Sequence, residues 1–243
     1  MAVKTVHYQG ATFSISYEIL NPNQSSDVIF LHGWGSNKNL MKQAFGKTLP
    51  SFRHIYIDMP GFGASNCDVT LETTDYAAIM ELFLEETGVH KNVILGHSFG
   101  GKVATLLNPD LLVLVASAGI IIPKSLKVRA KIGLFKLLKF TGLSRFRFLF
   151  VAPDAQGLSE CMYQTFKNVI NEDFSDFFRA YKGKALLCFG ERDTATPLWS
   201  GKIMAGLISD SRLVQFSGDH YFLLQESSAI AHEIEKSINE KDS

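Results

Sequence analysis

The sequence predicts an α/β fold in which a mostly parallel sheet carries helices on both faces. Short apolar runs alternate along the chain with longer segments of helical periodicity, which is the pattern of buried strands joined by crossover helices. Polar, glycine-containing motifs directly follow five of these runs, at the strand ends where such sheets bind ligands. The chain has 243 residues, 46% of them hydrophobic, which is enough for one sizeable core.

The strands are predicted from two kinds of pattern. Residues 3–8 and 12–19 alternate apolar and polar side chains around a Gln-Gly pair, which predicts an antiparallel hairpin. Mainly apolar runs, typical of strands buried on both faces, complete an eight-stranded sheet at residues 28–31, 54–57, 92–95, 111–116, 185–189 and 213–216. Helical patterns separate them at residues 38–49, 71–87, 102–107, 197–207 and 221–239.

One segment interrupts the alternation of strands and helices. Residues 123–182 show helical patterning, many Phe and Leu residues and no convincing strand. We interpret this segment as a helical cap inserted before the strand at 185–189. Residues 1–122 and 183–243 are then expected to form the core of a single structural domain with a lid.

Composition and charge argue against several classes of protein. The 24 basic and 24 acidic residues balance, so no general attraction to nucleic acid is expected. Three widely spaced cysteines indicate reduced thiols rather than a disulfide framework, and no group has metal-ligand spacing. The first ten residues lack a signal-peptide core, and the apolar run at 111–122 is too short to span a bilayer. We therefore expect a cytoplasmic protein without a transmembrane segment, metal or cofactor.

The most informative motif is G-x-S-x-G at residues 96–100. An apolar run precedes it and a helical pattern follows it, which is the strand–turn–helix context of a nucleophile elbow. Gly96 and Gly100 would relieve crowding in such a sharp turn. The Ser98 hydroxyl would then stand exposed at the top of the sheet, so Ser98 is the candidate nucleophile.

Four other motifs also follow predicted strands and are expected at the same sheet edge. They are HGWG at 32–35, DMPGFG at 58–63, GERD at 190–193 and GDH at 218–220. A serine hydroxyl is a poor nucleophile at neutral pH and needs a histidine base, which a carboxylate in turn orients. These motifs offer His220 as the base and Asp193 as the acid, with Asp219 as the alternative acid.

With these motifs the chain resembles the α/β-hydrolase superfamily over nearly its whole length. The order serine, acid, histidine along the chain matches the order in that fold. The resemblance implies that Ser98, Asp193 and His220 form a catalytic triad, and that the motif at 32–35 is the oxyanion loop. The two donors of the oxyanion hole are then the backbone N–H groups of Trp34 and Phe99.

Four more residues are expected close to the substrate pocket. They are His32, Gly33, His97 and Tyr221. We interpret His32 chiefly as a support that bonds the backbone of the oxyanion loop. We expect His97 to pack beside the elbow and to line the pocket.

The resemblance implies a serine hydrolase that cleaves a carboxylic ester or related carbonyl substrate through an acyl-enzyme. Residues 98–102 are also similar to meta-cleavage carbon–carbon hydrolases, which act on 2-hydroxy-6-oxo-dienoates, although those enzymes tend to carry Asn and Trp where this chain has His97 and Tyr221. The motifs at 32–35 and 60–63 are similar to those of biotin-pathway esterases that demethylate an acyl-carrier-bound ester.

A non-catalytic ligand-binding protein is the alternative from a different class, although all three triad positions are filled. Serine at the elbow argues against dehalogenase and epoxide-hydrolase activity, because related enzymes with those activities carry aspartate at this position.

The predicted cap carries an unusual charge pattern. No Asp or Glu lies between residues 110 and 154, whereas eight Lys and Arg residues lie at 124–147 among Phe, Leu and Ile. One interpretation is a solvated basic face over an apolar underside. The other is an electrostatic binding site for an acidic partner, such as an acyl-carrier protein, an anionic small-molecule ester or ketone, or a lipid headgroup.

Overall fold

A computed structural model describes residues 1–122 and 158–239 of the chain. Eight strands in these ranges form one sheet. They are Ala2–Tyr8 (β1), Ala11–Leu20 (β2), Asp27–Leu31 (β3), Arg53–Ile57 (β4), Val93–His97 (β5), Leu111–Val115 (β6), Lys184–Gly190 (β7) and Asp210–Phe216 (β8). Their spatial order is β1-β2-β4-β3-β5-β6-β7-β8. Strand β2 pairs antiparallel with β1 and β4, and the other neighbouring pairs are parallel. The predicted mostly parallel eight-stranded sheet is confirmed.

Seven helices pack around this sheet within the described ranges. They are Lys38–Phe45 (α1), Thr73–Thr87 (α2), Phe99–Leu107 (α3), Glu160–Ile170 (α4), Ser175–Ala180 (α5), Leu198–Leu207 (α6) and Leu223–Asn239 (α7). None of these helices is both long enough and apolar enough to cross a membrane.

The sheet carries a separate hydrophobic core on each face because successive strand residues point to opposite sides. In β3, Ile29 joins the core that includes residues of α2, α3 and α6. Its neighbour Phe30 joins the opposite core, which includes residues of α1 and α7. All five residues of β3 are buried, which explains why its residues 28–31 form a continuous apolar run.

Helix α3 begins at Phe99, three residues before the predicted start at residue 102. Gly100 and Gly101 are poor helix formers, so the pattern placed the helix after them. Close packing requires both glycines inside the helix. A Cβ on Gly100 would lie 2.4 Å from the Leu31 carbonyl oxygen, and one on Gly101 would lie 2.1 Å from Ser117 Oγ.

Strand β8 also begins earlier than predicted, at Asp210 rather than at residue 213. Within the described sheet β8 is an edge strand that pairs only with β7. Polar side chains such as Asp210 stay exposed at such an edge. The apolar pattern therefore did not include the first three residues of the strand.

The predicted cap at 123–182 is described from residue 158 onward. This part contains α4 and α5. Residues 123–157, which include the basic stretch at 124–147, lie outside the described residues. The division into a core of 1–122 and 183–243 and a cap of 123–182 stays a prediction.

The surroundings of two helical glycines predict opposite effects for their substitution by alanine. Gly100→Ala should destabilise the protein by about 1–3 kcal/mol or more, because its Cβ would meet the Leu31 carbonyl. Gly206→Ala in α6 should stabilise it by roughly 0.5–1 kcal/mol, because an added Cβ would meet no described atom within 4 Å other than its chain neighbours and the backbone of its own helix, and alanine favours a helix. Urea unfolding at unchanged m-value measures both effects. A Gly100→Ala variant as stable as the wild type would contradict the packing argument.

Candidate active site

Ser98 lies in a sharp turn between β5 and α3. Its backbone has φ 52° and ψ −114°, a strained conformation for a residue with a side chain. Hydrogen bonds hold the turn: Ser98 N–H donates to the Val115 carbonyl at 3.0 Å, and the Ser98 carbonyl accepts from Ala118 N–H at 3.1 Å. Gly96 allows the turn to close, since a Cβ there would lie 2.4 Å from the Gly100 oxygen. The strand–turn–helix arrangement predicted for the motif is therefore present.

Asp193 and His220 come from the loops after β7 and β8 and meet at the same sheet edge. His220 Nδ1 lies 2.8 Å from Asp193 Oδ2. The alternative acid, Asp219, does not make this contact, because its Oδ1 accepts the Tyr221 N–H at 2.9 Å. Because Nδ1 faces the carboxylate, Nε2 of the imidazole is the nitrogen available to take up a proton.

The carboxylate of Asp193 is held by its own loop. Oδ1 accepts the N–H groups of Ala195 at 2.8 Å and Thr196 at 2.9 Å, and Oδ2 accepts the Thr196 hydroxyl at 2.7 Å. Burial raises the pKa of this carboxyl, but the hydrogen bonds from His220 and Thr196 outweigh burial, so the pKa lies below its ordinary value. Asp193 is therefore suited to remain ionised beside the imidazole.

Ser98 and His220 open onto one cavity of about 490 Å³. Its described lining is mainly apolar and includes residues from the loop after β3, from α3, from the segment after β6 and from α4. They are Trp34, Phe99, Ile120, Ile121, Ile122, Phe166, Val169 and Ile170. Tyr221 also lines the cavity, as do Thr196 and Lys102. The predicted pocket residues His32, Gly33 and His97 are not among the described residues that line it.

His32 lies behind the loop at 32–35 and is fully buried. Its Nε2 is 3.1 Å from the Met59 N–H, which donates, so the proton is on Nδ1, which lies 2.8 Å from the Gly33 carbonyl. Burial lowers the pKa of His32 to about 4, so the ring is neutral. The ring thus ties its own loop to the loop that follows β4.

Trp34 joins the loop at 32–35 to the core and to α4. The centre of its ring lies 4.9 Å from that of Phe62, 5.7 Å from that of Phe99 and 5.3 Å from that of Phe166. Phe99 is the first residue of α3, and its N–H has no acceptor in a preceding helical turn. Trp34 and Phe99 therefore lie on one wall of the cavity that contains Ser98.

Comparisons with known proteins agree with this geometry. The profile of the alpha/beta hydrolase family matches residues 28–233. The chain belongs to this family. Such an α/β hydrolase is expected to place its site at the strand ends where Ser98, Asp193 and His220 lie.

Two curated relatives share a name. The chain is 39% identical over 82 residues to the pimeloyl-[acyl-carrier protein] methyl ester esterase of Vibrio campbellii. This match covers 34% of this chain and 31% of that protein. It is 37% identical over 101 residues to the esterase of the same name from Photobacterium profundum. This second match covers 39% of this chain and 38% of that protein. The matched segments thus span about a third of the length of each relative.

Solved structures of low identity show the same fold over almost the whole chain. An esterase from Exiguobacterium antarcticum superposes with a TM-score of 0.75 at 21% identity, covering 97% of this chain and 98% of the other. A meta-cleavage product hydrolase from Pseudomonas fluorescens superposes with a TM-score of 0.71 at 19% identity, covering 98% of each chain.

A buried ion pair in the cavity wall of this α/β hydrolase was not predicted from the sequence. Lys102 in α3 is 2% exposed, and its Nζ lies 2.6 Å from the Val169 carbonyl and 2.9 Å from Glu172 Oε2. Thr73 Oγ1 also donates to Glu172 Oε2. Burial lowers the pKa of Lys102, and the Glu172 carboxylate opposes that effect. The pair joins the elbow helix to the end of α4.

Thr196 was missed as well. Its position three residues after Asp193 is a usable signal, because Asp side chains often accept N–H groups two and three residues ahead. No comparable local signal marks the partner of Lys102, which lies 70 residues away in the sequence.

The ion pair predicts unequal costs for removing its two partners. Glu172→Gln should destabilise the protein by about 2–4 kcal/mol, because it leaves the Lys102 ammonium buried without a counter-charge. Lys102→Met should cost less, because the remaining Glu172 side chain is 27% exposed and keeps Thr73. Glu160→Gln at the exposed start of α4 is the control and should change stability by less than about 0.5 kcal/mol. Urea unfolding gives all three values, and equal costs for Glu172→Gln and Glu160→Gln would contradict the prediction.

Proposed function

We propose that this chain is a serine hydrolase that cleaves a carboxylic ester or a related carbonyl substrate through an acyl-enzyme intermediate. The observation that carries the proposal is the Asp193–His220 hydrogen bond of 2.8 Å at the cavity that Ser98 also lines. The family match over 28–233 and the names of the curated relatives support a hydrolase acting on esters.

In the proposed reaction Ser98 Oγ attacks the substrate carbonyl carbon while His220 Nε2 accepts the hydroxyl proton. The tetrahedral intermediate collapses, the bond to the alcohol breaks, and His220 returns the proton to the leaving oxygen. Water then attacks the acyl-enzyme with the same base, which releases the acid and restores the Ser98 hydroxyl. Asp193 stabilises the imidazolium in both steps and keeps the proton of the neutral ring on Nδ1.

The developing oxyanion is assigned to the backbone N–H groups of Trp34 and Phe99. The start of α3 favours negative charge at this position, because the helix dipole and free N–H groups point there. The loss of one such donor typically removes about 3–4 kcal/mol of barrier stabilisation. His32 supports this assignment indirectly, since it bonds the backbone of the loop that carries Trp34.

The mainly apolar cavity of about 490 Å³ suits an acyl chain of medium length. The names of two curated relatives favour a methyl ester on an acyl chain carried by an acyl-carrier protein as one form of the substrate. A cytoplasmic location is part of this proposal, and it is consistent with three cysteines that are free thiols.

Ser98→Ala should abolish covalent labelling by a fluorophosphonate and lower ester hydrolysis by about 10³-fold or more, because the nucleophile is lost. The wild type should label with one equivalent. Ser228→Ala, which changes an exposed serine of α7, is the control and should label fully. Gel-based labelling and hydrolysis of p-nitrophenyl butyrate measure both effects. A folded wild type that does not label would refute the proposed function.

The shape of the cavity also predicts which carbonyl substrates are used. p-Nitrophenyl esters of increasing chain length should show a maximum in kcat/KM at medium length, because the apolar walls bind the acyl chain until the cavity is full. A 2-hydroxy-6-oxo-dienoate assayed in parallel should be cleaved much more slowly. A strong preference for the dienoate would instead identify the chain as a carbon–carbon hydrolase.

A further inference from the structure

We propose that His97 is a positioning residue that holds the His220 loop against the nucleophile elbow. The proposal rests on the proposed function, because it concerns the alignment of the base with Ser98. His97 is the last residue of β5 and directly precedes the nucleophile. Its side chain is only 1% exposed and does not belong to the described lining of the cavity, so it acts through its neighbours rather than on the substrate.

The first contact of His97 is with the backbone of His220. His97 Nε2 lies 3.0 Å from the His220 carbonyl oxygen. A carbonyl only accepts, so Nε2 carries the proton and donates it. The two rings also pack with their centres 4.8 Å apart. His220 is therefore held at two points, since its side chain bonds Asp193 and its backbone bonds His97.

The second contact of His97 is with the oxyanion loop. Its Nδ1 is buried and has no hydrogen-bond partner among the described residues. A Cβ built on Gly33 would lie 3.0 Å from this Nδ1 and 3.1 Å from Ser98 Cβ. One rigid ring therefore borders the elbow, the His220 loop and the loop that carries Trp34.

The charge of His97 suits this position. Burial, and then the nearby His220, lower its pKa to about 3, and His32 acts in the same direction. Asp193 and the bond to the His220 carbonyl oppose this shift and are outweighed. A neutral ring does not repel the imidazolium that His220 becomes in the proposed reaction, whereas a second cation 4.8 Å away would.

The expected size of the effect follows from how strongly proton transfer depends on alignment. A misplacement of about 1 Å at reacting groups can cost on the order of 10²-fold in rate. Loss of the His97 donor removes the hydrogen bond that holds the His220 backbone. The residues that line the cavity stay unchanged. The loss should therefore appear in kcat rather than in KM.

The test compares two substitutions at His97 with a matched control. His97→Phe keeps a ring and removes the donor, whereas His97→Gln keeps a neutral N–H donor. His54→Phe is the control. His54 lies in β4 and is also fully buried, it bonds the Tyr56 hydroxyl and the Leu49 carbonyl, and it is not among the described residues that line the cavity. Rates of p-nitrophenyl butyrate hydrolysis are normalised to active sites titrated with a fluorophosphonate.

We expect His97→Phe to lower kcat by roughly 10–100-fold with KM within about twofold. His97→Gln should recover most of the lost kcat. His54→Phe should lower thermal stability with kcat unchanged. An unchanged kcat in His97→Phe, or equal losses in the Phe and Gln variants, would overturn the positioning role while leaving the proposed function intact.

A second measurement needs only the wild type and is independent of turnover. ¹H–¹⁵N NMR of the histidine rings should find His97 neutral and protonated at Nε2 at pH 7. A His97 protonated at Nδ1 would overturn the inference even if the substituted proteins failed to fold. Failure of the wild type to label with fluorophosphonate would instead refute the proposed function, and the NMR result would still report the bond to the His220 loop.

Discussion

The backbone turn at Ser98 is the constraint on which the rest of the site depends. A residue with a side chain is held there at φ 52° and ψ −114°, and such strain persists only when the surroundings determine it. Three glycines allow those surroundings to close in: Gly96 approaches Gly100, Gly100 approaches the Leu31 carbonyl, and Gly101 approaches Ser117. The turn therefore fixes both the direction of the serine hydroxyl and the start of α3.

The end of β6 and the residue after it connect this turn to the loop of Asp193. Val115 accepts the N–H of Ser98, and the carbonyl oxygen of the next residue, Ala116, lies 2.9 Å from the hydroxyl oxygen of Thr196. Strand β6 lies between β5 and β7 in the sheet, so one short stretch can bond both the elbow and the loop of Asp193. Parallel strands with their carboxyl ends at one edge thus bring residues almost a hundred positions apart into one network.

Around the described part of the cavity, the Asp193 carboxylate is paired, and the buried rings of His32 and His97 are neutral. Asp193 keeps a lowered pKa through the hydrogen bonds of His220 and Thr196. His32 and His97 lose affinity for a proton through burial, so each acts as a fixed hydrogen-bonding group behind the cavity wall. Their function follows from neutrality, since each neutral ring carries one N–H, which donates to a backbone carbonyl.

The sequence by itself determined the sheet, the elbow and the candidate triad, because apolar periodicity, glycine at tight turns and motifs at strand ends are local signals. It did not determine the start of α3, because that depends on how closely the helix approaches a neighbouring strand. It also did not reveal the Lys102–Glu172 pair or the bond from His97 to His220, which join residues 70 and 123 positions apart. Such contacts were decided by the tertiary structure, since the packing of the segment after α4 on α3, and the order of strands in the sheet, bring the respective partners together.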